Sequence, residues 1–149
     1  QLCGLSGDPT AFFCAMSCAA GRKTKKYPHA VMDFGAEEIE FYTLNYPKSR
    51  GLEWKIEAIR QALAPELAAV QACMPEHILF LDASEAVLRA RKAGDTTRSR
   101  EFFAYYLNHL LPLKREWFRE KKNVTFLSTD GLTARQVGEK VKHWCEQYI

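Results

Sequence analysis

Pro75-Glu76-His77-Ile78-Leu79-Phe80-Leu81-Asp82-Ala83-Ser84 decides the fold of this 149-residue chain. The apolar run His77–Leu81 is continuous rather than alternating, which fits a strand covered on both faces of a parallel sheet. It ends in Asp82. Asp82 or Ser84 can cap a helix, and Glu85–Lys92 reads as that helix. Beyond it five cations fall within twelve residues: Arg89, Arg91, Lys92, Arg98 and Arg100, crowded around Gly94-Asp95-Thr96-Thr97. A basic loop just past the carboxyl end of a buried strand lies where open α/β sheets bind ligands. Guanidinium forks match phosphate or carboxylate oxygens two at a time, so a phosphorylated or carboxylated ligand is expected. The bland alternative is a solvated helix end and turn.

Working outward, Phe102–Lys121 reads as one long helix that Pro112 bends. Val124–Leu127 is a second continuous apolar strand. Ala134–Tyr148 is a closing helix with Val137, Val141, Trp144 and Cys145 on its buried side, and Thr133-Ala134-Arg135-Gln136 matches a capping box. Between strand and closing helix, Ser128-Thr129-Asp130-Gly131-Leu132-Thr133 is a turn whose Gly131 and Asp130 suit a tight reversal. Upstream, Leu52–Cys73 carries a helical apolar stripe with a kink or break at Pro65. Ala30–Phe34 is a third expected strand, and Pro9–Ala20 an expected helix ended by Gly21. Strands alternating with helices imply right-handed crossovers and a parallel sheet. The expectation is one α/β domain over 1–149, three layers deep (α/β/α), with a short parallel sheet of three to five strands.

Bulk composition bounds the function without naming it. Apolar residues make up 47% and charged residues 26%, an ordinary globular mix, and the net charge of +3 is too small to point to nucleic acid. The basic run Arg22-Lys23-Thr24-Lys25-Lys26 reads as a solvated face. Cys3, Cys14, Cys18, Cys73 and Cys145 are an odd set without framework spacing. Cys14 and Cys18 would share a helix face, but no second Cys/His pair at zinc spacing accompanies them, so free thiols in a reducing compartment are expected. The four histidines share no spacing, and no metal ligands are assigned. No apolar run is long enough to span a bilayer. The chain begins at Gln1 rather than Met, so the expectation is a removed leader or a longer product, and a cytoplasmic location, or the mitochondrial matrix if a leader was removed.

Asp33-Phe34-Gly35 does not read as the protein-kinase motif of the same letters, because the chain is short and no His-Arg-Asp loop is present. Asp33 reads instead as an acidic residue at a strand end, able to hold Mg²⁺ through water or orient an acceptor hydroxyl, or equally as a helix cap.

Together these elements resemble the nucleoside and nucleoside-monophosphate kinases, especially the thymidylate kinase and deoxynucleoside kinase group. The resemblance rests on Pro75–Ile149: a strand like Ile78–Ala83, a helix bearing Arg, an arginine lid, a long helix like Phe102–Glu120, a strand like Val124–Leu127, an adenine-side loop and a closing helix. It implies a P-loop-kinase fold, Mg-ATP as phosphoryl donor, and a nucleotide or small phosphorylated ligand as partner. It places Arg89, Arg91, Arg98 and Arg100 in or beside the phosphate-clamping lid, with Arg98 and Arg100 neutralising transferred charge. Asp130 and Gly131 would lie near the adenine. Asp33, about 45 residues upstream of the His77–Leu81 strand, would stand by the acceptor.

One departure is large. A phosphate loop reads Gly, four residues, Gly-Lys, then Ser or Thr. Gly4 and Gly7 precede a helix here, but counted from Gly4 the places of the second glycine, the lysine and the hydroxyl hold Pro9, Thr10 and Ala11. The sequence therefore supports two readings: a nucleoside or nucleotide kinase-like phosphotransferase, or a kinase-fold subunit that binds partners or nucleotide without turnover.

Overall fold

A computed structural model describes residues 29–96 and 101–148. The chain divides into two compact units, Gln1–Glu76 and His77–Ile149.

The described part of the first unit is helical. Its helices are α1 (Ala36–Ser49), α2 (Ile56–Ala62) and α3 (Ala64–Gln71). Helix α1 was not among the sequence expectations. Its signals are nonetheless local: Glu37 and Glu38 in the first turn, Ala36, Glu40 and Leu44 at i, i+4 spacing, and a stop at Gly51. Gly51 adopts φ +74°, and the Leu52 and Gly51 N–H groups bond back to the Pro47 and Lys48 carbonyls. That is a left-handed C-terminal cap, which glycine forms without a Cβ clash. The expected Leu52–Cys73 helix is two helices. Pro65, near the start of α3, has no N–H and its ring crowds the carbonyl four residues back, so the chain turns at Leu63 (φ −113°, ψ 25°) and restarts.

The unit's core joins Ala36, Ile39 and Val70, with Cys73 and Met74 packed against them. Phe41 and Val70 are fully buried. Glu40, 2% exposed, is held from two sides: Arg60 Nη1 donates to Oε1 at 2.6 Å and Gln71 Nε2 to Oε2 at 2.7 Å. One carboxylate thus ties α1 to both α2 and α3, and each oxygen receives the donor that burial demands.

The expected strand at Ala30–Phe34 does not form. Residues 29–35 hold no strand, and Val31 is 75% exposed. An apolar β-prone run becomes a strand only beside a partner, and none is present among the described residues. The segment ends instead in a turn with Phe34 at φ +64°, its ring stacked on Tyr42 at 6.1 Å.

The second unit is mixed α/β. Strands β1 (Ile78–Asp82) and β2 (Val124–Ser128) pair in parallel, with Ile78 opposite Val124 and Asp82 opposite Ser128. These are the only strands among the described residues, fewer than the three to five expected. Helix α4 (Glu85–Gly94) follows β1, and Ser84 is its cap, the side chain accepting from the Val87 N–H at 3.4 Å. The long connecting helix has three parts: α5 (Phe103–Tyr105), a π-helical turn (Tyr106–Leu110) and α6 (Leu111–Arg119). Pro112 accounts for the interruption. It cannot donate to the Asn108 carbonyl, so the backbone widens and the Leu111 N–H reaches Tyr106. Helix α7 (Ala134–Cys145) starts on the expected capping box: Thr133 and Gln136 each bond the other's backbone N–H.

Register places Phe80 and Phe126 side by side on one sheet face. Phe118 of α6 closes over them, 2% exposed, its ring 5.1 Å from that of Phe80, which lies 4.8 Å from Phe126. Lys114 sits 5.9 Å from the centres of both Phe80 and Phe118, and the Arg119 guanidinium 5.8 Å from Phe126, so cations cap the aromatic layer. On the opposite face Leu79 and Leu127 share a groove with Gln136, His143 and Trp144 of α7. Among the described residues no helix is long and apolar enough to cross a membrane.

The aromatic layer is the main apolar contact of the β1–β2 pair with α6. Phe118→Ala should lower stability by about 3–5 kcal/mol. Urea unfolding followed by tryptophan fluorescence checks it.

Candidate functional site

The two parallel strands end together at Asp82 and Ser128, and the loops leaving them are stitched to each other. The Thr129 N–H donates to the Asp82 carbonyl at 2.8 Å, and the Thr129 hydroxyl donates to the same carbonyl at 2.9 Å. Thr129 is 5% exposed. Its hydroxyl oxygen and its carbonyl in turn accept from Arg91, Nη1 at 2.9 Å and Nη2 at 2.8 Å. The hydroxyl therefore both donates and accepts, which polarises the chain from Arg91 through Thr129 to Asp82.

The Asp82 carboxylate has its own frame. Its Oδ1 accepts from the Ala83 N–H at 2.9 Å and from Arg115 Nε and Nη2 at 2.9 and 2.7 Å. Arg115 Nη2 also reaches the Ala83 carbonyl at 2.5 Å. Both side chains of this ion pair are 22% exposed, so it is partly screened from water. Across the gap Asp130 Oδ1 accepts the Ser84 N–H at 2.9 Å. Folding holds the Asp130 carboxyl below its ordinary value. The Ser84 N–H contributes most, then the Ser84 hydroxyl; Arg91 and Arg115 add smaller effects, and slight burial opposes them. Gly131, at φ +71°, closes the turn that aims Asp130, and the Leu132 N–H bonds to the Thr129 carbonyl at 3.2 Å.

The residues singled out in the sequence fall into four groups. Arg91, Asp130 and Gly131 meet at this rim. Arg89 does not: its guanidinium pairs with Glu85 one turn back on α4, Nη2 to Oε1 at 2.6 Å, with both side chains more than half exposed. Asp33 lies in the first unit and is exposed. Gly4, Gly7, Arg98 and Arg100 lie outside the described residues. Sequence reading missed Arg115 and the part played by Thr129. Arg115 stands 33 residues from Asp82 in a run of charges, Lys114-Arg115-Glu116, where nothing marks it out. Asp82 did carry a signal, as a carboxylate closing an apolar strand.

Among the described residues, two guanidinium groups, Arg91 and Arg115, stand with two carboxylates, Asp82 and Asp130, at the rim. Arg91 is exposed even though two of its N–H bonds are fixed on Thr129. No group of three or more His, Cys, Asp or Glu side chains among the described residues is placed to hold a metal ion. Comparison with family models, with curated proteins and with solved structures found no match.

The depressed Asp130 value gives a signed pH dependence. Its charged form stabilises the fold above the ordinary aspartate range, and that contribution is lost as pH falls through the lowered folded value. The difference in melting temperature between the native chain and Asp130→Asn should be full at pH 7 and shrink below about pH 4. Thermal melts across that range decide it, and a gap that stays constant down to acid pH would show that charge is not what matters.

Proposed function

We propose that this chain carries a nucleoside- or nucleotide-kinase-like domain of P-loop-kinase type, and that the rim of its second unit takes the base side of ATP. The observation that carries this reading is Arg91, exposed yet pinned by both terminal nitrogens across Thr129 at the carboxyl end of two parallel strands. Parallel α/β sheets bind ligands at that end. Among the described residues, the balance of Asp82, Arg115, Arg91 and Asp130 favours an uncharged heteroaromatic ring there. In this reading Arg98 and Arg100 contact the phosphates. Mg²⁺ enters with the triphosphate, coordinated chiefly by its oxygens and by water. The reaction is transfer of the γ-phosphoryl group to a hydroxyl or phosphate acceptor, with arginines offsetting the charge on its oxygens.

A second reading has its own observation. Pro9, Thr10 and Ala11 stand where a phosphate loop needs glycine, lysine and hydroxyl. Loss of a single well-placed donor typically costs ~10²–10³ in rate, and the loss of three together leaves a domain that binds nucleotide or a partner without turnover.

Calorimetric titration with Mg-ATP tests binding, and phosphoryl transfer to a panel of nucleosides and nucleoside monophosphates tests turnover. Binding should weaken roughly tenfold in Arg91→Ala, the scale of a stacked or hydrogen-bonded contact. It should weaken further in Arg98→Ala/Arg100→Ala. Binding without turnover selects the second reading. The absence of heat at millimolar Mg-ATP overturns the nucleotide site.

A further inference from the structure

Arg91 is the ligand-facing group of the proposed site, yet nothing on its own helix holds it. Among the described residues its two hydrogen bonds both go to Thr129, one to the hydroxyl and one to the carbonyl. The plane of Arg91 is therefore set by the position of Thr129. Thr129 is set in turn by the Asp82 carbonyl, which accepts both its N–H and its hydroxyl. The Asp82 backbone is held in the strand pair, and its side chain and the following peptide carry the next link. There Arg115 bridges the Asp82 carboxylate and the Ala83 carbonyl, holding the side chain and the following peptide in one fork.

We propose that Arg115 is a positioning residue, acting through Asp82 and Thr129 to fix the Arg91 guanidinium for an incoming nucleobase. This deepens the nucleotide reading and rests on it. Three observations support the assignment. Arg115 comes from α6, a different element from the two loops that it braces, so it provides an external reference for them. It makes three hydrogen bonds to two consecutive residues, an arrangement that the planar fork allows and a lysine ammonium does not reproduce. Asp82 Oδ1 accepts from Arg115 and from Ala83, so removing Arg115 leaves a part-buried carboxylate without its counter-charge at the point where both loops begin. A ring stacked on Arg91 needs that plane held to within about 10–20°.

The test uses the full chain in five forms: native, Arg115→Gln, Arg115→Lys, Arg91→Ala and the Arg115→Gln/Arg91→Ala double variant. Without any ligand, ¹⁵N relaxation at the Arg91 Nε–H reads the positioning directly. The group should be ordered in the native chain and markedly more mobile in Arg115→Gln, with Arg115→Lys restoring only part of the order. An unchanged Arg91 order parameter in Arg115→Gln overturns the proposal whether or not nucleotide binds.

Mg-ATP titration supplies the second readout. Arg115→Gln should weaken binding about tenfold in the native background and not at all in the Arg91→Ala background, the signature of coupled residues. An equal loss in both backgrounds would make Arg115 an independent contact and end the positioning role. Loss of Arg91 order with no Mg-ATP binding by the native chain would overturn the nucleotide reading and leave the positioning role standing. If circular dichroism shows Arg115→Gln unfolded, the same comparisons run with Arg115→Lys and Asp82→Asn.

Discussion

The second unit depends on how its strand ends are joined. Two parallel strands alone bury too little to persist, and parallel pairs are ordinarily found inside larger, doubly covered sheets. Here the pair is secured at its carboxyl end by Thr129, which closes on the Asp82 carbonyl with both backbone and side chain. Along its length it is secured by the ring contacts of Phe80 with Phe118 and Phe126. The first device fixes where the two loops leave the sheet, and the second fixes the helix that supplies Arg115. The candidate site lies where the two meet.

Among the described residues, the arginines near the strand ends are each directed to a different acceptor: Arg115 to Asp82 and Ala83, Arg91 to Thr129, Arg89 to Glu85. An exposed i, i+4 pair such as Arg89–Glu85 contributes only about 0.3–0.5 kcal/mol and leaves little fixed field. Asp130 offsets a further positive charge.

The first unit solves a different problem with the same economy of donors. Its three described helices are short, and the buried Glu40 joins α1 to α2 and α3 through Arg60 and Gln71. A buried carboxylate costs several kcal/mol in desolvation and is tolerated here because both oxygens are met. The turn before α1 places Phe34 in the left-handed region, where a bulky side chain costs about 1–3 kcal/mol, and stacking on Tyr42 offsets part of it.

Local rules carried much of the second unit and one break in the first. Continuous apolar runs marked β1 and β2, the Thr133–Gln136 spacing marked the start of α7, Ser84 was one of two named caps, and Pro65 and Pro112 marked the interruptions, because each of these is decided by a few adjacent residues. The one expected strand that failed did so for a non-local reason. Ala30–Phe34 has the composition of a strand, but a strand is a relation between segments, and no neighbouring segment pairs with it among the described residues. Arg91 was visible as a cation past a strand, while its binding to Thr129 was not, since 38 residues separate them. Arg115 carried no mark at all. The sequence by itself determined the two strands and the helices of the second unit, and that cations and carboxylates cluster near the strand ends. Only the tertiary structure decided which charge meets which, because pairing over 33 to 47 residues is set by how the helices pack on the strands.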